Sequence, residues 1–524
     1  MKFPATHSST RAIEKAAALL SQGKAAEAQA LLSHLLTQHH EHADAWHLMG
    51  ISHYLMNDLP NACSAFQKAI QANPKQPDFH ANLGLVLQTS AHIDEAALAY
   101  TQALVLDPNH VDALFNLATL HQERHELDEA IELYQRSLAL RRAHAKTHYN
   151  LGTVYASRLQ HGEALGHFRQ AVDLSPTHTE SWVAMANSCH ALGEISLALQ
   201  CLDSTLRIAP DHPAAHLNRA LLMLATGDYK NGWPEFEWRW RAATALRSNY
   251  RGNRPLWLGQ TPTEGMHLLL HCEQGFGDTF QCTRYFETLQ ERGVQLTVLV
   301  EPSQVRLLQR MKSAPKLITP DAELPVHDAH CPLMSLPLAL GLTDHPAMFN
   351  TPYLTVDEDD LQRRRNVLGF TPERPAIGLA WRGSSLHSND KQRSLPLDQL
   401  LARLPLGPSY VVLQKDVSPL EQEILMTRPD VSLVVQPADD FYDTATLCCT
   451  MDQIVSVDTS IVHLAGALGC PTLLMLAQPC DWRWQPNTTP NPWYGCVEIL
   501  RQPQPGDWES VLNQMHDLLQ HFKA

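Results

Sequence analysis

Small and apolar positions recur along the first half of the chain with a period of 34 residues. Gly50, Gly84, Ala118, Gly152, Ala186 and Ala220 form one series, and Ala62, Ala96, Ala130, Ala164 and Ala198 form a second. Small side chains at two fixed positions let the two helices of a hairpin approach closely. A third series is Pro74, Pro108, Pro176 and Pro210, with Arg142 in the remaining slot. It marks the end of the second helix, because proline cannot continue one. After Trp240 the rhythm changes, and short apolar runs alternate with helical patterns. Strands are expected at 266–271, 295–300, 376–381, 410–414, 431–435, 453–457 and 472–476. Helices are expected at 278–292, 302–312, 396–404, 441–450 and 459–468. Such alternation predicts parallel sheets covered on both faces. The charged stretch Thr351 to Pro375 reads as a bridge between two such sheets.

A period of 34 built this way is the tetratricopeptide pattern. It runs from about residue 43 to 242, after a degenerate copy with Ala16 and Ala28 in the expected slots, so the array is expected over 9–242. Stacked hairpins make an α solenoid, a superhelix with a concave face. Asn82, Asn116, Asn150 and Asn218 each lie two residues before the small position, on the helix that lines that face. An amide donates and accepts at once. A ladder of amides could hold an extended polypeptide, or it could tie neighbouring helices together.

The 524 residues are 44% hydrophobic and 18% charged, which fits a soluble globular chain of about three domains. A formal net charge of −15 argues against a general nucleic-acid binder. No apolar run approaches the roughly 20 residues of a membrane span, and the N-terminal stretch reads as no signal peptide. Eleven scattered cysteines without a CxxC pair suggest reduced thiols in a cytoplasm.

Three loops could build a site. Gly275-Phe276-Gly277-Asp278-Thr279 follows an expected strand and opens a helix. Asp278 could cap that helix or act as a general base. Arg382 emerges after the strand at 376–381 beside Gly383, where a guanidinium suits an anionic ligand such as a diphosphate. Lys391 and Arg393 add two cations downstream, though the stretch could equally be a solvated basic loop. In the third loop, Asp458-Thr459-Ser460 opens a helix whose N–H groups at 459–461 and dipole attract phosphate, with His463 one turn in. A histidine there could equally be packed in the core. His327, His330 and Cys331 read as structural, and Cys448 and Cys449 as helix-face packing. Trp482, Trp484 and Trp493 fit either a base or sugar platform or a core. No GxSxG, Walker A or HExxH motif is present.

Taken together, EQGFGDTFQCTRYF, HCPLMSLPLALG, IGLAWRGSSLHSNDKQRSLPL, VSVDTSIVHLAGALGCPT and DWRW…NPWYG span about 264 to 510. With GDYKNGWPEFEWRW at 227–240, the chain resembles bacterial tetratricopeptide-repeat proteins carrying a C-terminal glycosyltransferase-like domain of the heptosyltransferase type. That resemblance implies a GT-B fold, with Rossmann-like domains over 262–355 for the acceptor and 375–524 for the nucleotide-sugar. It implies inverting, usually metal-independent transfer with no cofactor. It implies Asp278, after Gly277, as base, with Arg382, Asp458, Thr459, Ser460 and His463 holding the donor phosphate. GFGDT departs from the small-residue pattern usual there. The repeat half is similar to that of protein O-linked N-acetylglucosamine transferases, which suggests a protein acceptor. The expected activity is sugar transfer to a protein Ser or Thr hydroxyl. The rival readings are a non-catalytic scaffold and a transferase acting on a saccharide or lipid carrier.

Overall fold

The computed structural model describes residues 6–242, 250–262, 265–273, 275–343, 351–370, 374–383, 390–433, 440–484 and 491–522. The chain forms two compact units, Met1–Leu192 and Gly193–Ala524.

The first unit is a run of helical hairpins. Ala43–Leu55 pairs with Leu59–Ala72, Pro77–Thr89 with Ile93–Leu106, Val111–Glu123 with Leu127–Leu140, and Ala145–Ser157 with His161–Leu174. The small positions of the sequence have a counterpart. Phe66, Tyr100, Tyr134 and Phe168, also 34 apart, are buried, and a Cβ on Gly50, Gly84 or Gly152 would lie 2.7 Å from the ring of Phe66, Tyr100 or Phe168. Glycine there lets an aromatic ring rest on the partner helix backbone. Each hairpin turn contains one residue with a left-handed backbone: Gly23, then Asn57 (φ 59°), Ala91 (61°), His125 (60°) and Leu159 (60°). The first helices of several repeats begin at a histidine. His42, His110 and His178 accept a backbone N–H through Nδ1 from the residue three positions on. These imidazoles do the work of the usual Ser, Thr, Asn or Asp cap.

The second unit opens with the helices Ile195–Ile208, Pro213–Ala225, Tyr229–Phe236 and Arg239–Ala242. Two all-parallel sheets follow. The first contains β1 (His267–His271), β2 (Gln295–Leu299), β3 (Lys316–Ile318) and β4 (Ala329–Pro332) in the order β3-β2-β1-β4. The second contains β5 (Ala376–Ala380), β6 (Ser409–Val412), β7 (Val431–Ser432), β8 (Gln453–Val457), β9 (Thr472–Leu476) and β10 (Val497–Arg501), ordered β10-β9-β8-β5-β6-β7. The inner strands β1, β5, β8 and β9 are almost wholly buried, as the unbroken apolar runs require. The chain reverses its direction of strand addition between β1 and β4 in one sheet, and between β5 and β8 in the other. Ligands of doubly wound sheets bind beyond the carboxyl ends at such reversals.

The seven expected strands are present, with residues 434 and 435 of one outside the described residues. β3, β4 and β10 were not expected: β3 is three residues long, β4 is Ala-His-Cys-Pro and β10 carries Glu498 and Arg501. The helix expected at 278–292 is two, Phe276–Thr283 and Phe286–Glu291. The bridge contains the helix Glu358–Leu368, which buries no residue and stops at left-handed Gly369.

The helices before the sheets share their core. Ala220, Leu224, Tyr229, Trp233 and Phe236 belong to the same buried cluster as Leu268, Leu270 and Phe280. Trp233 meets Trp482 edge-on at 5.4 Å, and Trp482 meets Trp493 at 5.7 Å. Trp482, Trp484 and Trp493 are core residues, at most 6% exposed. Among the described residues no helix is long and apolar enough to cross a membrane.

Candidate functional site

The loop after β1 reaches the helix Phe276–Thr283. Its N-cap is Gly275, and Asp278 occupies the third helical position, not the cap itself. Asp278 Oδ2 accepts the Gly275 N–H at 2.9 Å. Its other oxygen takes an N–H of Arg483. Arg483 is 6% exposed and gathers the loop around itself. Its Nε donates to Gln281 Oε1 at 2.7 Å and its Nη1 to Asp481 Oδ1 at 2.9 Å, while its guanidinium lies 4.3 Å over Trp482. A buried guanidinium is tolerated only with such a full set of partners.

Just before this loop stands Glu273, fully buried and bonded to Arg239 at 2.9 and 3.0 Å. Arg239 also donates to Glu237 Oε1 at 2.6 Å and Ser335 Oγ at 2.7 Å. Burial outweighs the Arg239 charge and pushes the Glu273 carboxyl up to about 7. This network ties the Trp-rich end of the helical segment to the loops that follow β1 and β4, on both sides of the first sheet's reversal.

At the second sheet's reversal the cations divide. Arg382 turns to Glu421, donating from Nε at 2.9 Å and from Nη2 at 3.2 Å, and also to the Asp416 carbonyl. Glu421 receives Trp381 Nε1–H at 2.7 Å and the Ser418 N–H at 2.7 Å, completing a capping box at Pro419–Leu425. Against burial, these donors hold its carboxyl down to about 2. The guanidinium expected to face a diphosphate therefore serves a helix cap. Arg393 takes the central position instead. Its Nη1 donates to the Asp458 carbonyl at 3.3 Å, and it lies so close over Gly383 that a Cβ there would sit 2.3 Å from Nη2. Arg393 thus spans from the loop after β5 to the loop after β8. The Lys391 side chain lies outside the described residues, as do Gln274, Ser384 and Ser385.

Thr459 is the N-cap of Ser460–Leu468, and its hydroxyl accepts the Ile461 N–H at 3.2 Å. Of the three N–H groups expected to meet phosphate, the one at 461 is thus already capped. Asp458, Thr459 and Ser460 are half-buried at the carboxyl end of β8. Burial and the nearby Asp481 push the Asp458 carboxyl up to about 7, against Trp484, Arg483 and Arg393. His463 is 7% exposed, with Nδ1 3.0 Å from the Tyr494 hydroxyl and its ring stacked on Trp484 at 5.4 Å. Burial, with Arg483 and Arg284 nearby, holds it well below the usual range, so it is neutral. Its ring presses on Gly277, where a Cβ would lie 2.6 Å from Cδ2. The loop after β1 and the helix after β8 are therefore in direct contact. Arg284, 4% exposed, reinforces it by donating to the Trp493 carbonyl at 3.1 Å and the Tyr353 hydroxyl at 3.0 Å.

Asp278, Gly277 and His463 thus come together, as do Arg393 and Asp458, while Arg382 stands apart from them. Arg483 and Arg284 were missed as site residues. The DWRW motif was the available signal for Arg483, but nothing in it shows which loop the arginine meets.

In the repeats, Asn150 Nδ2 donates to the Tyr134 hydroxyl at 3.1 Å, and Asn116 bonds the equivalent Tyr100 hydroxyl. Phe66 has no hydroxyl, and Asn82 Nδ2 lies 2.7 Å from His47 Nε2 instead. Asn218 is likewise half-buried and engaged. The amides of Asn82, Asn116 and Asn150 thus join one helix to another, and tyrosines fix the orientation of Asn116 and Asn150. Among the described residues no group of three or more His, Cys, Asp or Glu is placed to hold a metal ion. His330 Nδ1 lies 3.0 Å from His271 Nε2 under the Tyr250 ring, and Cys331 is fully buried.

Tetratricopeptide-repeat family models match residues 13–77, 109–177 and 159–222. Protein FlbA of Caulobacter vibrioides (strain ATCC 19089 / CIP 103742 / CB 15) is 24% identical over 369 residues, 64% of this chain and 60% of that protein. The chain therefore spans less than two thirds of that relative's length. Among solved structures, MamA is 22% identical over 31% of this chain and 95% of its own, with a TM-score of 0.30. Pseudomonas aeruginosa pilF is 21% identical over 38% and 90%, with a TM-score of 0.35. YrrB, a TPR protein with an unusual peptide-binding site, is 20% identical over 35% and 95%, at 0.32. The helical part of this chain is a run of tetratricopeptide repeats, an array suited to binding protein.

Proposed function

We propose that the chain is a glycosyltransferase that moves a sugar from a nucleotide-sugar to a hydroxyl of a polypeptide held by the repeats, with the two sheets acting as the halves of a GT-B fold. The observation that carries this reading is the convergence of both sheet reversals on one place. Gly277 rests on His463, and Asp278 shares Arg483 with Asp481. In this reading the acceptor oxygen attacks the anomeric carbon while its proton passes to the Asp278 carboxylate. The bond to the nucleoside diphosphate breaks, and the charge on the departing phosphate grows beside Arg393 and the N-terminal end of Ser460–Leu468. Arg483 positions Asp278. In the repeats, tyrosine hydroxyls hold the Asn116 and Asn150 amides in place, and a preorganised ladder loses less entropy on binding a peptide.

Thermal unfolding with a panel of UDP-, GDP-, ADP- and CMP-sugars tests the donor half. One nucleotide class is expected to raise the midpoint, and Arg393→Met is expected to remove that rise. Asp278→Asn is expected to keep donor stabilisation while abolishing the mass increase of co-expressed acceptor proteins. If no donor stabilises the chain, the transferase reading fails and the protein-binding scaffold remains.

A further inference from the structure

The helix Phe441–Cys449 begins against the first sheet's loop. Its Phe441 ring lies 4.8 Å from Phe276 and 4.9 Å from Phe280. It ends at Cys449, a half-buried thiol. The helix Ser460–Leu468 touches the same loop through His463 and Gly277, and it is closed by Gly469 and Cys470. Cys449 Sγ and Cys470 Sγ are 3.7 Å apart, in contact but unbonded. The two helices and the loop form a triangle whose third corner is this thiol pair.

We propose that Cys449 and Cys470 are a redox modification site, oxidised by a hydroperoxide to a disulfide that clamps the two helices bracketing the loop after β1. A disulfide needs its sulfurs at about 2.05 Å, and here they already touch. The Cys470 thiol beside it, helped by Arg365, lowers the Cys449 thiol, whereas Cys449 and burial raise Cys470. Cys449 is half-buried and Cys470 buried, so Cys449 is the sulfur a peroxide reaches and Cys470 the resolving one. The Cys449 thiolate attacks the peroxide O–O bond, giving a sulfenic acid and releasing hydroxide, which is protonated to water. The Cys470 sulfur then attacks the sulfenic sulfur and loses its proton, and a second water leaves. Two thiols lose two electrons, and one hydrogen peroxide becomes two waters.

Other thiols set the alternatives. Cys448 is fully buried on the core side of the same helix, and Cys496 Sγ approaches the Gly466 carbonyl at 3.9 Å. The test uses the reduced full-length chain, treated with hydrogen peroxide, alkylated and digested without reductant. The expected product is one internal cross-link between the peptides bearing Cys449 and Cys470, with an intact-mass loss of about 2 Da that thiol reductant reverses. Cys448→Ser keeps the cross-link, and Cys449→Ser removes it. A chain whose Cys449 proceeds to sulfinic acid without cross-linking overturns the proposal, as does a cross-link through Cys448 or Cys496. Neither outcome depends on whether the chain transfers sugar.

Discussion

The repeats and the sheets solve the problem of burial in opposite ways. In the repeats buried contacts recur at fixed offsets. Gly84 accommodates Tyr100, and Asn150 meets Tyr134, 16 residues away. In the second unit, burial depends on three arginines, Arg239, Arg284 and Arg483, all at most 6% exposed and each bonded to a partner remote in sequence. A repeat array sums local terms, so damage stays near its source. A core held by buried charge responds as a whole, because an orphaned ion costs more than the pair contributed.

Arg483→Met is the strongest way to break that contrast. It leaves Asp278 and Asp481 without their shared cation, and it is expected to cost roughly 3–5 kcal/mol. Urea unfolding followed by tryptophan fluorescence reads the loss. Arg158→Met, at a repeat ion pair whose Asp128 is 83% exposed, should barely move the midpoint. Equal losses at both sites would erase the distinction. Next in size is Glu421→Gln. Glu421 is held at about 2 against an ordinary 4.5, so its contribution is complete above 4.5 and disappears as pH falls through about 2. The variant should be weaker by on the order of 3 kcal/mol near neutral pH, with the gap closing in acid. A gap independent of pH would show that the carboxylate's charge is not what holds Arg382. The smallest effect is a gain. Leu159 has φ 60° and is 56% exposed, so Leu159→Gly is expected to stabilise the repeats by about 1 kcal/mol. Thermal unfolding by circular dichroism measures it, and an unchanged or lower midpoint would count against left-handed strain at the turn.

The period of 34 was legible because packing repeats it, and the small residues, with proline in every slot but that of Arg142, mark the same positions in successive hairpins. The aromatic residues above those small positions follow the same spacing, but they are Phe at two positions and Tyr at two, and were overlooked. The inner strands β1, β5, β8 and β9 were legible as apolar runs. The edge strands β3 and β10 were not, since half-exposed strands carry no such signal. The site was legible by type but not by partner. Asp278, Arg393 and Asp458 stand at the reversals, yet Arg382 is drawn away by Glu421, 39 residues on. A capping box at Ser418 and Glu421 can be read from sequence, but the arginine that joins it cannot.

One feature of the second unit bears on how the protein is made. Gln281 finds Arg483 after 202 residues, and Arg284 finds the Trp493 carbonyl after 209. At a ribosomal rate of about 5–20 residues per second, the loop after β1 waits roughly 10–40 s for these partners to be synthesised. The hairpins of the repeats can close as soon as each emerges. During that interval Arg284 and Trp233 lack the late partners that cover them in the folded chain, so the interval before Trp493 emerges is when the nascent chain most needs protection from aggregation.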